Sequence, residues 1–464
     1  MSLDGYERVL EVATERASRY LAEAPDRPVR ERAGVEDLRT ALTRELPEQG
    51  EDPATVVEEL ADAAEPGLIA LASPRYFGFV IGGTLPAALG ADWLVTAWDQ
   101  IASLYVCGPS AGVAEEVAGR WVLELLDLPS DAAFGLTTGG TMANFSGIAA
   151  GRHAVLEREG WDVEAKGLHG APEVRVLVGE HAHATIFVAL KMLGLGAERA
   201  ARIEADGEGR MDPDALAAEL DRGEGPAIVC AQAGDVNTGC FDRFDQLADI
   251  CERHGAWLHV DGAVGLWTAA SPQFASLTAG LERADSWSTD AHKWLNVPYD
   301  CGFIAVAEPE ALRGAMGISA PYLIARPEAR DSYQFVPESS RRARGFVLYA
   351  ALRSLGRQGV AELVEPTSFL ARLMASELKV DPSLEVINDV VINQVLVGVL
   401  GDQSGDVTRD AVTRIQQDGT CWLSGTTWRG RPAIRISVCN WRTTEDDIRR
   451  SAEAIREAVR QADG

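Results

Sequence analysis

The sequence predicts an α/β protein whose large domain is a mostly parallel sheet covered by helices. Short apolar strand patterns at 174–178, 227–231 and 257–260 are separated by helical patterns. Strands that alternate with helices are typical of parallel sheets with helices on both faces. A further apolar strand pattern at 303–306 extends the same sheet.

Two flanking regions differ from this alternation. Apolar residues at helical spacing, punctuated by prolines, predict an N-terminal helical arm at 1–72. The alternating pattern defines a large domain at 73–315. Strand and helix patterns then mix, which predicts a small α+β domain at 316–464. Within it we expect a long helix from Arg341 to Leu373 with an interruption near Pro366, because a proline removes a helical hydrogen bond.

Composition limits the partners and the compartment. The chain has 464 residues, 46% of them hydrophobic, with a formal net charge of −27. Nucleic acids and anionic membranes bind clustered Lys and Arg, so neither is expected as a partner. The seven cysteines form an odd set without C-x-x-C spacing, and the first residues lack the features of a signal peptide. These observations predict a cytoplasmic protein with reduced thiols.

Most of the polar residues with chemical potential follow predicted strands. They are Thr138–Thr141, His183, Asp235 and Asp261, with Lys293 further along the chain. Ligands of open α/β sheets bind at the carboxyl ends of the strands. The sequence therefore predicts that these residues meet in one site.

The turn Thr138-Gly139-Gly140-Thr141 precedes a helical pattern, which is the arrangement that binds a phosphate. Backbone N–H groups, the positive end of the helix dipole and a hydroxyl meet there. A glycine helix cap without any ligand has the same pattern and remains the alternative. The chain has no G-x-x-x-x-G-K-[ST] loop, and Gly194-Leu195-Gly196 lacks the third glycine of a dinucleotide motif, so nucleotide binding is not favoured.

Lys293 lies between two flat rings, His292 and Trp294, in an otherwise apolar stretch. We expect it to follow a polar turn formed by Ser288–Asp290. Burial disfavours the charged ammonium and leaves a nucleophilic amine. A surface lysine beside a turn is the alternative.

Asp261 ends an apolar strand, where a carboxylate is costly unless it is paired or functional. A structural salt bridge is the alternative for Asp261, and a structural role is the alternative for His183. A remote alternative is a metal-dependent hydrolase, because His181, His183, His259 and Asp261 are residue types that bind zinc. That hypothesis leaves the Gly-Gly-Thr turn and Lys293 unexplained.

The order of the Gly-Gly-Thr turn, a histidine, H-V-D-G-A at 259–263 and D-A-H-K-W at 290–294 resembles the group II pyridoxal-phosphate decarboxylases of fold type I. This family includes the aromatic-L-amino-acid, histidine, tyrosine and glutamate decarboxylases, and the resemblance runs from Ser73 to the C-terminus. It implies a pyridoxal 5′-phosphate enzyme that converts an L-amino acid into an amine and CO2. It also implies a homodimer with active sites at the subunit interface.

The resemblance implies roles for the residues around the cofactor ring. Lys293 would form the Schiff base with the cofactor, and Asp261 would pair with the pyridine nitrogen. Ala263 would pack against one face of the ring, and His183 would stack on the other. The remaining cofactor contacts that the resemblance implies are Gly140 and Thr141 at the phosphate, with Asp290 or His292 nearby, and Asp235 or Asn237 near the 3′-oxygen.

The same resemblance implies a tyrosine proton donor on a mobile loop from the neighbouring subunit. Tyr333 lies in the predicted loop Pro321–Pro337 and is the candidate; a tyrosine in an exposed loop is the alternative. In relatives with phenylalanine instead, oxidative deamination to an aldehyde competes, so Tyr333 favours decarboxylation. An aldehyde synthase or an aminotransferase on the same fold is the alternative function, and a non-catalytic scaffold is disfavoured because the key residues are intact.

Substrate residues are implied by the resemblance alone. Phe79 and Tyr105 fall in segments that line the side-chain pocket of the aromatic decarboxylases, which favours an aromatic amino acid. Both could instead be core residues. Arg435 lies where fold type I enzymes often place an arginine that binds the substrate carboxylate.

Overall fold

The structure is a computed structural model that describes residues 4–321, 323 and 329–464. Its contacts divide the chain into two compact units. The larger unit comprises Thr84–Arg372 and Ile387–Leu396, and the smaller one Met1–Gly83, Leu373–Val386 and Val397–Gly464. The domain boundaries at 72 and 315 stay a prediction.

A seven-stranded sheet forms the centre of the larger unit. Its strands are β1 (Ala133–Thr137), β2 (Arg175–Gly179), β3 (Ala201–Ile203), β4 (Ala227–Gln232), β5 (Trp257–Asp261), β6 (Ser286–Asp290) and β7 (Gly302–Val306). Their spatial order is β1-β7-β6-β5-β4-β2-β3. Only β7 runs antiparallel to its neighbours, and the other pairs are parallel. The predicted mostly parallel sheet is therefore confirmed.

Helices connect and cover these strands. They are α4 (Pro86–Trp98), α5 (Pro109–Leu125), α6 (Gly140–Arg158), α7 (Val163–Lys166), α8 (Ala184–Met192), α9 (Pro213–Asp221), α10 (Phe244–His254), α11 (Pro309–Met316) and α12 (Arg344–Leu378), the last of which continues into the smaller unit. Helix α6 packs closely on β5. A Cβ on Gly147 would come within 2.6 Å of the His259 ring, and one on Gly151 within 2.7 Å of Trp257. These glycines bring α6, and the turn that starts it, close to the sheet.

Strand β6 corrects one prediction. Ser288–Asp290 was expected to be a polar turn, but these residues end a strand that is buried along its whole length. Its hydroxyls are satisfied inside the protein: Ser288 donates to the Asn144 side-chain oxygen, and Thr289 donates to the Gly262 carbonyl at 3.0 Å. Internal hydrogen bonds remove the cost of burying a polar strand, and no apolar pattern marks such a strand in the sequence.

The break in α12 lies at Gly356 rather than near Pro366. Gly356 has φ of 62°, which a helix cannot contain and which glycine adopts readily. Pro366 lies within helical backbone because the fixed φ of proline is close to the helical value.

The smaller unit combines helices with a four-stranded sheet of order β10-β11-β9-β8. Its elements are α1 (Asp4–Glu23), α2 (Val35–Leu42), α3 (Pro53–Ala64), β8 (Leu384–Val386), β9 (Gln394–Val399, which begins in the larger unit), α13 (Asp406–Asp418), β10 (Ser424–Trp428), β11 (Arg431–Ser437) and α14 (Glu445–Asp463). No helix in the described ranges is long and apolar enough to cross a membrane.

Candidate active site

The carboxyl ends of β1, β5 and β6 bring three predicted site segments together. A Cβ built on Gly140, after β1, would lie 2.7 Å from Oδ2 of Asp290 and 3.5 Å from Cβ of Ala263. Lys293 Nζ lies 2.9 Å from the same Asp290 oxygen. The Gly-Gly turn, the residues around Asp261 and the lysine thus form one compact group, as expected for neighbouring ends of parallel strands.

The start of α6 has the geometry of an anion site. The first helical hydrogen bonds come from the N–H groups of Met142 and Ala143, which both donate to the Gly139 carbonyl at 3.0 Å. The N–H groups of Gly140 and Thr141 precede this ladder and lie at the positive end of the helix dipole. Gly139 has φ of 143°, and a Cβ there would come within 3.1 Å of the His292 ring. Backbone groups can therefore contact an anion closely.

Asp290 places a buried carboxylate beside this turn. Its side chain is only 3% exposed, and Oδ2 pairs with the Lys293 ammonium. Oδ1 has no hydrogen-bond partner within the part of the chain that the structure describes, and it lies 3.6 Å from Nε2 of His292. The Lys293 side chain is 21% exposed, so it is partly enclosed.

His292 is held by its surroundings. Its Nδ1 accepts a hydrogen bond from the Cys301 N–H at 3.1 Å, and its ring lies 4.3 Å from the Tyr299 ring. Burial lowers the pKa of His292, against the opposing effect of Asp290. A neutral ring with Nδ1 as acceptor carries its proton on Nε2, which is the nitrogen that faces Asp290.

Both oxygens of the Asp261 carboxylate accept hydrogen bonds. Oδ1 accepts from the Ala263 N–H at 3.1 Å, and Oδ2 accepts from Nδ2 of Asn144 at 3.0 Å. The side chain is buried at the end of β5. These two bonds fix the plane of the carboxylate and use only part of its accepting capacity.

His183 caps the start of α8 and is joined to the same network. Its Nδ1 lies 2.9 Å from Oγ1 of Thr185, which accepts a hydrogen bond from Asn144 Nδ2 at 3.2 Å. Asn144 carries no role predicted from the sequence. The sequence pattern could have indicated it, because Asn144 is a polar residue one helical turn after Gly140 in a largely apolar helix. The structure shows that it lies between the predicted pyridine-nitrogen partner and the predicted stacking histidine.

Asp235 is engaged in its own loop. It is fully buried, and its Oδ1 accepts from the N–H groups of Asn237 at 2.7 Å and Thr238 at 2.8 Å. Its Oδ2 accepts from Nε2 of Gln232 at 3.0 Å. This carboxylate stabilises the turn after β4, and a contact of Asp235 or Asn237 with the cofactor's 3′-oxygen stays a prediction.

Tyr333 lies in a short 3-10 helix, Ser332–Gln334, and is only 3% exposed. Its hydroxyl accepts from Nε2 of Gln334 at 3.2 Å. Residues 322 and 324–328 of the predicted loop lie outside the described residues. The role of Tyr333 as a proton donor stays a prediction.

The predicted substrate residues are distributed over both units. Tyr105 belongs to the larger unit, is half-buried and donates its N–H to Oδ1 of Asp331 at 2.9 Å. Phe79 belongs to the smaller unit, is 55% exposed and stacks on Trp422 with centroids 5.6 Å apart. Arg435 also lies in the smaller unit, on β11. Their contacts with a substrate stay predictions.

Both ring nitrogens of His259 have hydrogen-bond partners inside the protein, which fits a structural role. Its Nδ1 lies 2.9 Å from Oγ of Ser286, and its Nε2 lies 3.0 Å from Oδ1 of Asn144. Burial lowers its pKa to about 4, so the ring is neutral. No three His, Cys, Asp or Glu side chains within the described ranges are arranged to hold a metal ion. The geometry gives the metal-dependent hydrolase hypothesis no support in this part of the chain.

Comparison with known proteins identifies relatives along nearly the whole chain. Residues 36–398 match the family model described as the pyridoxal-dependent decarboxylase conserved domain. Aromatic-L-amino-acid decarboxylase of Bacillus atrophaeus is 27% identical over 446 residues, covering 91% of this chain and 88% of the relative. L-2,4-Diaminobutyrate decarboxylase of Rhizobium meliloti (strain 1021) is 28% identical over 430 residues, covering 90% of this chain and 84% of the relative.

A solved structure supports the fold. The crystal structure of Oryza sativa TDC with PLP and tryptamine superposes with a TM-score of 0.92 at 24% identity, covering 99% of both chains. At this identity the similarity establishes the architecture. The fold type I prediction is confirmed.

Proposed function

Because the chain belongs to the pyridoxal-dependent decarboxylase family, whose cofactor is pyridoxal 5′-phosphate, we propose that it removes the α-carboxylate of an L-amino acid with an aromatic side chain. The products are the corresponding amine and CO2. The observation that carries this proposal is the group at the strand ends, where Lys293, the Asp261 carboxylate and the N-terminal turn of α6 lie together.

The residues present fit this cofactor. The N–H groups of Gly140 and Thr141 are available for its phosphate, the Lys293 amine for its aldehyde carbon and the Asp261 carboxylate for its pyridine nitrogen. The Gly139-Gly140 turn leaves room for an anion only because it has no side chains, since a Cβ on Gly139 would come within 3.1 Å of the His292 ring and one on Gly140 within 2.7 Å of Asp290. The bound cofactor supplies an electron-withdrawing ring that takes up the electron pair left when CO2 departs.

The chain's own residues perform the remaining work. Lys293 provides the amine, and its ion pair with Asp290, 2.9 Å away, holds the side chain at the strand ends. Asp261 is oriented by Ala263 and Asn144, so its carboxylate can accept an N–H bond and stabilise positive charge on the donor. His183, fixed at the start of α8, would limit the tilt of a flat ring packed against it.

The aromatic preference is supported by similarity to the Bacillus atrophaeus enzyme and by the predicted pocket residues Phe79 and Tyr105. The diaminobutyrate relative shows that other side chains are accepted within the family. Incubating the loaded enzyme with L-tryptophan, L-tyrosine, L-phenylalanine, L-glutamate and L-2,4-diaminobutyrate tests the proposal, with CO2, amine, aldehyde and H2O2 all quantified. Equal CO2 and amine from aromatic substrates is the expected result. Aldehyde with H2O2 would make the protein an aldehyde synthase, and release of neither CO2 nor amine from any substrate would overturn the proposal.

We further propose a homodimer with active sites at the subunit interface, as the family resemblance implies. Light scattering coupled to gel filtration should give a particle mass of about twice the 49.8 kDa of one chain. A fully active particle with the mass of a single chain would contradict this assembly.

A further inference from the structure

Asn144 is a buried amide whose hydrogen-bonding groups are all used. Its Nδ2 donates to Oδ2 of Asp261 at 3.0 Å and to Oγ1 of Thr185 at 3.2 Å. Its Oδ1 accepts from Oγ of Ser288 and lies 3.0 Å from Nε2 of His259. An amide has two N–H donors and two acceptor positions, so this environment satisfies it completely.

The orientation of this amide follows from its partners. The Asp261 carboxylate is placed to accept, so the NH2 group of Asn144 faces it and the amide oxygen faces His259. Nε2 of His259 therefore carries the proton, and its Nδ1 accepts from the hydroxyl of Ser286 at 2.9 Å. Ser286 in turn accepts from the indole N–H of Trp257 at 2.9 Å. In this series of hydrogen bonds from Asn144 to Trp257, every donor meets an acceptor.

Two branches start at the Asn144 NH2 group: one leads to Asp261, and the other leads through Thr185 to His183. The His183 branch sets the tautomer of that ring. Oγ1 of Thr185 accepts from Asn144 and lies 2.9 Å from Nδ1 of His183. Because the His183 side chain accepts the backbone N–H of Thr185, the Thr185 hydroxyl donates to the same nitrogen. The backbone N–H of Thr185 also points at this Nδ1, at 3.3 Å. A nitrogen that accepts from two donors is unprotonated, so the proton of a neutral His183 ring lies on Nε2.

We propose that Asn144 is a positioning residue that joins the Asp261 carboxylate and the His183 ring into one hydrogen-bonded unit, with His183 held as its Nε2–H tautomer. The proposal rests on the proposed function, since Asp261 and His183 are the groups expected on the cofactor ring. One side chain of α6 then fixes both the group at the ring nitrogen and the group at the ring face. A shift of Asn144 would disturb the two together.

Three variants separate the branches. Thr185→Val keeps the shape of the side chain and removes the hydroxyl that links Asn144 to His183, while the backbone N–H of residue 185 remains. Asn144→Ala breaks both branches. Ser146→Ala is the matched control, because Ser146 is equally buried on α6 and its hydroxyl donates to the Met142 carbonyl at 2.8 Å, within its own helix.

The first readout is the side-chain 15N spectrum of histidine-labelled protein, recorded without and with pyridoxal phosphate. We expect the unprotonated Nδ1 and protonated Nε2 of His183 in the wild type and in Ser146→Ala. Thr185→Val and Asn144→Ala should show mixed tautomers. An Nε2–H tautomer that persists in Thr185→Val would overturn the proposal. Because the cofactor-free protein is measured too, this result is obtained even if the proposed decarboxylation fails.

The second readout is the affinity and absorption spectrum of bound pyridoxal phosphate. Asn144→Ala should weaken binding on the order of tenfold, the equivalent of one hydrogen bond to a charged group, and change the spectrum and its pH dependence. Thr185→Val should keep the wild-type affinity and lower kcat with KM unchanged. Wild-type affinity and spectrum in Asn144→Ala would overturn the link to Asp261. If Asn144→Ala does not fold, Thr185→Val still tests the His183 branch through both readouts.

Discussion

Lys293 lies on the turn that follows β6, and its ammonium is 2.9 Å from Oδ2 of Asp290, the last residue of that strand. The same carboxylate lies beside Gly140 at the start of α6, where the phosphate of the cofactor is expected to bind. The lysine thus neutralises a negative charge at the edge of an anion site. Attachment of the cofactor to Lys293 requires this ion pair to rearrange.

Asp290→Asn is expected to strengthen binding of pyridoxal phosphate by about tenfold, because it removes a carboxylate next to the phosphate. Equilibrium titration followed by absorbance measures this affinity. Pyridoxal, which lacks the phosphate, is the control ligand and should show no gain. An equal gain for both ligands would mean that release of Lys293, rather than charge repulsion, dominates.

Lys293→Ala is expected to abolish covalent attachment of the cofactor and to lower turnover by about a thousandfold or more. Borohydride reduction followed by peptide mapping should label Lys293 in the wild type. Lys191→Ala, at an exposed lysine on α8, should keep both the label and the activity. A label at Lys166, Lys191 or Lys379 would show that the anchor has been assigned to the wrong residue.

Tyr333→Phe is expected to divert product from the amine to the aldehyde with H2O2, if Tyr333 is the proton donor. The side chain is only 3% exposed, so that role requires the 332–334 turn to open. Tyr322→Phe, at the other tyrosine of the predicted loop Pro321–Pro337, is the comparison, with amine, aldehyde and H2O2 measured for both. Diversion by Tyr322→Phe together with wild-type products from Tyr333→Phe would assign the donor to Tyr322.

His259 should make stability depend on pH. Burial lowers its pKa from 6.5 to about 4, so between these values the unfolded chain binds a proton that the folded chain does not. The contribution of His259 to the free energy of unfolding is fully present above pH 6.5 and falls as the pH is lowered towards 4. The loss is roughly 3 kcal/mol at most. The stability difference between wild type and His259→Asn, measured by urea unfolding, should shrink between about pH 7.5 and about pH 5.

The stability of the wild type must be compared with that of His259→Asn, because two other groups change the pH dependence of stability in the opposite direction. Burial raises the pKa values of Asp242 and Asp285 to about 6, which favours the folded state as pH falls. Both are present in the wild type and in the variant, so their effects cancel. A difference that does not change with pH would show that His259 titrates normally.

Glu115→Ala is expected to destabilise the fold by about 3–5 kcal/mol, because it leaves the buried Arg341 and the largely buried Arg330 without their counterion. Arg341 Nη2 contacts both Glu115 oxygens at 2.7 Å, and Arg330 contacts one at 3.2 Å. Burial by itself raises the pKa of Glu115, but the two arginines have the larger combined effect. The pKa of Glu115 is therefore lower than its ordinary value. Glu116→Ala, which removes a pair with the exposed Arg120, should cost at most about 1 kcal/mol in the same unfolding experiment. Equal losses for the two variants would contradict the importance of burial.

The local pattern of side chains was sufficient to predict the parallel sheet and the order of the site residues along the chain. Apolar strands such as 227–231 and 257–260 are recognisable because burial on both faces requires a continuous apolar run. Lys293 and the Gly140 turn could be expected near each other because the ends of parallel strands share one edge. The family motifs then identified the cofactor.

Tertiary contacts were needed where polar groups satisfy one another. Strand β6 has no apolar signature because Ser288 and Thr289 are buried with partners from distant segments. Asn144 and Asp261 are 117 residues apart in the chain, yet they share a 3.0 Å hydrogen bond. Composition and periodicity indicate which apolar residues are buried. The pairing of buried polar groups depends on how helices and strands pack, and only the folded chain defines those distances.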